Sequence, residues 1–276
     1  MNTIRTITWL TFHEARRRKM VLAALVLGGL FLLLFTIGLS LIDRNLREES
    51  TSAIQLRFSY NLLLIAGLYV VHFLTVMLSI FASVDTVSGE IASHTVQAIV
   101  TKPVRRWQVL LGKWLGYAIM TVLYLGLLGG GIVLVVYLLV GYLPPNPAAG
   151  LGLLMLEALV LLSLSLLGGT YVSTLTNGVM LFMLYGLAFI GAWVEQIGSF
   201  LRSHAAVNVG IVTSLLMPVE ALWRRAAYLM QPQFVSSIPT PFGGTSPPSQ
   251  AMVLYAALYA LVALGLAMRG FGKRDL

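Results

Sequence analysis

Long apolar runs alternate with short polar breaks along this chain, and the runs exceed what an ordinary core helix needs. A membrane-crossing helix takes about 20 mainly apolar residues. Six runs have that character: 20–42, 61–83, 114–140, 150–172, 179–197 and 251–268. They predict an all-α membrane protein with six transmembrane helices. Between the second and third runs lies a polar island, residues 84–113, which opens with Asp85 and Glu90 and closes with Lys102, Arg105, Arg106 and Lys113. Within it Val87, Ile91, Ala98 and Ile99 fall at rough helical spacing, which predicts a short amphipathic helix. Pro103 suits the first turn of a following helix that runs through Trp107 and Leu110 into the third span.

The stretch before the last run has a different pattern. Segment 205–217 is apolar but short for a crossing, and Pro218 ends it. Beyond the proline, Val219, Leu222, Trp223, Ala226 and Met230 share one helical face. Glu220, Arg224, Arg225 and Tyr228 share the other. Such a wheel predicts a helix in the headgroup plane, the two pieces together making a re-entrant or interfacial element on the outer side. A full crossing by 205–217 would instead give seven spans and put the C-terminus outside, against the basic C-terminal tail. Near the N-terminus Ile4, Ile7 and Leu10 share a face opposed by Trp9 and Phe12. This weakly amphipathic segment is expected either to lie on the inner membrane surface or to extend the first span.

Charge orients the spans. Of 18 Lys and Arg residues, twelve fall in 1–19, 84–113 and 269–276, and six fall in the other loops. The positive-inside rule therefore places both termini and the polar island in the cytoplasm. The first run, directly after Arg16, Arg17, Arg18 and Lys19, is too long for a signal peptide and lacks a small-residue cleavage site. It is expected to be a retained anchor. All five tryptophans lie at or beyond run ends, as an interfacial belt requires.

Composition agrees: 58% of residues are hydrophobic and only 10% are charged. The net charge of +8 sits in clusters at run ends rather than along a basic face, which argues against nucleic acid as a partner. With no cysteine, disulfides and thiolate metal sites are excluded. No phosphate-cradling P-loop is present, because Gly112-Lys113 is followed by Trp114 and Gly272-Lys273 by Arg274. His13-Glu14 lacks the second histidine of a zinc-protease helix, since position 17 is arginine, and no G-x-S-x-G elbow exists. The chain is therefore not expected to be an enzyme, and no metal site or resident cofactor is expected in it.

Two ionisable residues fall inside runs, where such groups default to functional candidates. Glu157 lies about two turns into the fourth run and reads as a substrate contact, a proton carrier or a subunit-interface bond. Its alternative is a carboxyl hydrogen-bonded to a nearby Tyr or Ser. His72, near the middle of the second run, reads as lining a translocation path or as a satisfied packing residue. Gly112/Gly116 and Gly126/Gly130 are G-x-x-x-G pairs, which predict close helix packing of the third span against this chain or another.

The layout and the 84–116 stretch resemble the membrane subunits of ABC-2-type ABC transporters. The resemblance is carried by Glu90, Pro103, Arg105, Arg106, Gly112 and Lys113, with the turn STLTNG at 173–178 and the Pro218–Trp223 segment similar to the family's other short elements. His94 departs from it, standing where the family carries a hydrophobic residue. Within the family the chain looks most like small stand-alone permeases of the copper-enzyme-maturation, sodium and drug-efflux kinds. The resemblance implies a single transmembrane domain over 1–276, a multi-pass protein of the prokaryotic inner or plasma membrane, working as an exporter. It implies a pair of soluble ABC ATPase subunits carrying ATP and Mg, and a second permease copy or a sibling. It further implies a cytoplasmic coupling helix on which those subunits push, with contacts at Asp85, Val87, Glu90, Ile91, His94, Ile99, Arg105 and Arg106. Two other classes stay open. An ATP-independent secondary transporter or channel would show ionisable residues facing each other across several spans and helices broken near the midplane. A membrane scaffold would recruit a soluble complex and move nothing.

Overall fold

A computed structural model describes residues 3–17, 19–48, 52–86, 89, 105–232 and 247–273. Among these the chain is helical with no strand. In order, the helices are α1 (Thr3–Arg17), α2 (Lys19–Glu48), α3 (Ala53–Ser83), α4 (Arg106–Val140), α5 (Pro147–Tyr171), α6 (Thr174–Phe200), α7 (His204–Leu216), α8 (Val219–Leu229) and α9 (Gln250–Lys273). Six of them, α2 to α6 and α9, are long and apolar enough to cross a membrane, and they contain the six runs apart from Val172, which caps α5. They overrun the sequence-based limits because polar ends such as 43–48 and 53–60 continue the helix beyond the apolar stretch.

Local chemistry sets the ends. Ser52 caps α3 by accepting from Gln55 N at 3.3 Å, and Ser173 caps α6 by accepting from Thr176 N at 3.4 Å. Gly141, at φ 69°, ends α4 in the left-handed region, and its N–H donates to Tyr137 O. Pro147 then opens α5, where a missing N–H is harmless.

The bundle is built around α3 and α5, the two spans most enclosed by the others. Leu64, Leu68, Val71, Leu125, Leu128, Val160 and Leu161 are among its fully buried residues. By contrast α2 buries only Val21, Gly28 and Leu39. The first G-x-x-x-G pair receives α1 of the same chain. A Cβ at Gly112 would sit 2.8 Å from Ile7 and one at Gly116 2.8 Å from Thr11, so side chains there would push α1 away. Around Gly126 and Gly130 nothing described lies within 4 Å.

Two ends of the bundle can be told apart by contacts. At one, Asn177 of α6 donates to Val84 O at the start of the polar island, Lys113 at its finish donates to Thr86 O, and Gly270 of α9 meets Tyr171. At the other, Asn61 of α3 donates to Tyr142 and to Met230 O, and Met230 packs on Gly150. Helix α7 turns back along α6, with Ala206 on Gly198, Glu195 on Gly210 and Thr213 on Gly191. It then bends by 106° into α8, which returns to the Asn61 end. The α7–α8 pair thus enters and leaves at one end, the geometry of a re-entrant hairpin. Ending α7 among apolar helices leaves backbone carbonyls without partners in their own helix. Tyr255 and Tyr259 of α9 donate to Leu215 O and Leu216 O at 2.6 and 3.0 Å and satisfy two of them.

Helix α8 corrects the helical-wheel reading. It does not present its polar face to a headgroup plane: Glu220 is 4% exposed and Arg224 8%. Trp223, counted above as interfacial, is 2% exposed, and Trp114 instead donates from Nε1 to Ser163 Oγ at 3.0 Å. Glu220 and Arg224 are turned inward because other helices supply their partners, while Tyr228 of the same face stays exposed.

Candidate functional site

His72, Glu157 and Glu220 meet at the centre of the bundle. Helix α3 brings His72 from its middle, α5 brings Glu157 about 15 Å along from Pro147 at 1.5 Å per residue, and α8 brings Glu220 in its first turn. Both carboxylate oxygens of Glu157 lie 2.9 Å from His72 Nδ1. On the far side of the ring, Nε2 faces Glu220 Oε1 at 3.5 Å and the Tyr185 hydroxyl of α6 at 3.3 Å. The imidazole is clasped by aromatic rings, Tyr69 at 5.6 Å and Trp223 at 5.0 Å between centroids. Its side chain is 0% exposed, and those of Glu157 and Glu220 are 2% and 5%. The void between His72, Thr75, Leu154 and Glu157 leaves no room for a water molecule. Glu220 gains from its place, since first-turn N–H groups of a helix favour a carboxylate.

The cluster is a chain, not a cage. The two carboxylates flank opposite ring nitrogens, so they cannot converge with the imidazole on one ion. Among the described residues no three His, Asp or Glu side chains are arranged to hold a metal. What the geometry can do is hold protons and bind α3, α5, α6 and α8 to one another. One turn along α8, Arg224 donates to Glu195 Oε2 of α6 at 2.8 Å and to Ser214 Oγ of α7 at 3.4 Å. Two of the three α8 charges, Glu220 and Arg224, are thus consumed inside the fold, while Arg225 donates to Pro248 O.

His72 and Glu157, singled out separately in the sequence, are brought together here. Glu220, Glu195 and Arg224 were missed as site residues. Glu220 and Arg224 stand four apart on α8, a spacing that reads equally as a water-facing stripe. Only partners 148 positions from Glu220 and 29 from Arg224 decide otherwise, and no local pattern reports them.

The second candidate region is the base of the polar island. Asp85 follows α3 in a turn, and its carbonyl accepts from Gly89 N. Arg105 is the exposed N-cap of α4 and Arg106 its first residue. Val87, Glu90, Ile91, His94 and Ile99 lie outside the described residues. The flanks are tied down: Lys113 Nζ donates to Thr86 O at 3.5 Å, and Asn177 Nδ2 donates to Val84 O at 3.4 Å and Ser165 O at 2.8 Å. Asn177 is fully buried and rests on Gly168, whose missing side chain admits it. The STLTNG turn therefore locks the end of α3 to α5 and α6.

An all-α, polytopic membrane protein with a polar insert between its second and third crossings is the class these observations define. The family model for ABC-2 family transporter proteins matches residues 5–238, and the chain belongs to that family. It is accordingly a multi-pass membrane permease of the ABC transporter kind, a membrane subunit rather than the ATPase itself. Comparison with curated proteins returns no match.

Proposed function

We propose that the chain is the membrane subunit of an ATP-driven exporter in a prokaryotic inner or plasma membrane, with both termini and the polar island in the cytoplasm. Two soluble ABC ATPase subunits, carrying ATP and Mg, engage the island at Asp85, Val87, Glu90, Ile91, His94, Ile99, Arg105 and Arg106. A second permease copy or a sibling completes the assembly. Beyond family membership, the observation that carries this reading is the anchored base of the island. Its two flanks continue α3 and α4 and are bonded through Lys113 and Asn177 to their neighbours. A push on the island is therefore delivered to whole helices rather than absorbed by a loose loop. Exposed ion pairs contribute only about 0–1 kcal/mol each, so the apolar residues Val87, Ile91 and Ile99 supply most of the affinity.

The test uses the absence of native cysteine. Ser88→Cys should react with an impermeant maleimide only after cells are permeabilised, and Asn45→Cys, at the opposite end, in intact cells. Affinity-purified wild type should retain a soluble ATPase, and Ile91→Asp should lose it while still inserting. Labelling of Ser88→Cys from outside, or a purified assembly with no ATPase, would refute the proposal.

A second reading is favoured by one specific observation. The His72–Glu157–Glu220 cluster beside a broken helix pair has both marks of an ATP-independent secondary transporter. Transport by vesicles of the purified chain alone, without ATP, would select it.

A further inference from the structure

We infer that His72, Glu157 and Glu220 form a buried proton-binding site whose occupancy decides whether the re-entrant α7–α8 hairpin stays docked against α3 and α5. Three observations carry this. First, the ligand the geometry suits is a proton, because the carboxylates flank opposite ring nitrogens rather than converging on one point and all three side chains are almost fully buried. Second, the groups come from separate elements: His72 from α3, Glu157 from α5 and Glu220 from the hairpin, with Tyr185 of α6 on the same ring nitrogen as Glu220. Third, Glu220 Oε1 approaches His72 Nε2 at 3.5 Å, against 2.9 Å for Glu157 on the other ring nitrogen, so it is the longer ion-pair contact of the chain.

Charge accounting sets the direction. With a neutral imidazole and both carboxylates ionised the trio carries two negative charges, and it becomes neutral on taking up two protons. The groups facing the ring are Tyr69 from α3, Glu157 from α5, Tyr185 from α6, and Glu220 and Trp223 from α8. None of these is a cation. Of the α8 cations, Arg224 is committed to Glu195 and Arg225 donates to Pro248 O. Uncompensated charge in a dry interior is costly, so loss of the protons sets the two carboxylates against each other across the ring. The hairpin is the element that yields, since its two helices are short, 13 and 11 residues against 31 and 25 for α3 and α5, and its Glu220 makes the longest ion-pair contact of the trio. With all three side chains almost fully buried, proton release to bulk water is expected to accompany movement of the hairpin.

The test needs neither ATP nor a partner subunit, so its outcome is independent of the proposed function. The full chain in lipid nanodiscs carries spin labels at Tyr228→Cys on α8 and Leu138→Cys on α4, both exposed. Inter-label distances and the infrared band of protonated carboxyl groups are followed from about pH 5 to about pH 9. Expected are loss of the carboxyl band and a shift of the distance distribution over the same interval. With Glu157→Gln and Glu220→Gln together, that part of the band is absent and one distance persists at every pH. A band that does not respond to pH in the otherwise native chain overturns the inference. So does a distance that stays fixed while the band titrates, or a double variant that shifts as the native side chains do. The titration of the native trio requires no core substitution, so misfolding of a variant leaves it decisive.

Discussion

Arg224 and Glu195 show how much a buried charge depends on its partner. Their side chains are 8% and 12% exposed, and the 2.8 Å bond between them joins the hairpin to α6. Removing one member leaves an uncompensated charge in the interior, whereas replacing both with apolar residues removes two desolvation costs together. Arg224→Ala is therefore expected to lower unfolding stability by about 3–5 kcal/mol, read as a lower thermal midpoint in detergent. Arg224→Met with Glu195→Leu should recover most of that loss. Equal loss in the single and the double variants would show that the pair does not act as a unit. The same reasoning explains what single positions could and could not announce. His72 and Glu157 stand out within apolar runs because nothing polar surrounds them in sequence. Glu220, Arg224 and Glu195 sit near polar run ends, where charge is expected anyway, and only the folded chain shows them inside.

At the scale of elements, glycine positions separate packing within the chain from surface left open. The two G-x-x-x-G pairs of α4 look alike in sequence, but α1 closes on Gly112 and Gly116 while Gly126 and Gly130 face nothing described within 4 Å. Gly116→Leu should displace α1, seen as loss of disulfide cross-linking between Thr8→Cys and Leu115→Cys. Gly130→Leu should leave that cross-link intact; the reverse result would mean that α1 docks elsewhere. The broken end of α7 makes a second test at this scale. Tyr255→Phe with Tyr259→Phe strips the donors from Leu215 O and Leu216 O. Interhelical hydrogen bonds inside membranes contribute about 0.6 kcal/mol on average and up to about 1.7. The double variant should therefore lose about 1–2 kcal/mol in a denaturation titration and open the hairpin to proteolysis first. The six crossings were legible because length and hydropathy report them locally. The interior place of α8 was not, because amphipathic periodicity records that one face is polar without saying whether water or protein answers it.

For the whole molecule the question is how movement of the polar island reaches the centre of the bundle. The resemblance singled out residues of the island itself, and the match over 5–238 establishes the family. What neither sequence pattern nor resemblance conveyed is the fixing of the island's base by Asn177, a residue in the first turn of α6, 93 positions beyond Val84. Through it the end of α3 is held to Ser165 of α5, and those same two helices carry His72 and Glu157 deeper in. Substituting Asn177 by Leu puts an apolar side chain of similar size in its place and removes both bonds. If α3 and α5 transmit the push as one body, Asn177→Leu should leave the ATPase subunit bound, because the island's own contacts are untouched. Transport-linked ATPase stimulation should nevertheless fall by about 5- to 10-fold, the size of a coupling free energy near 1 kcal/mol. Leu175→Ala, two residues away and 79% exposed, should change neither quantity. Full stimulation in Asn177→Leu would mean that the stroke travels through α4 alone, by way of Lys113, and that the bond to α5 serves only to hold the fold.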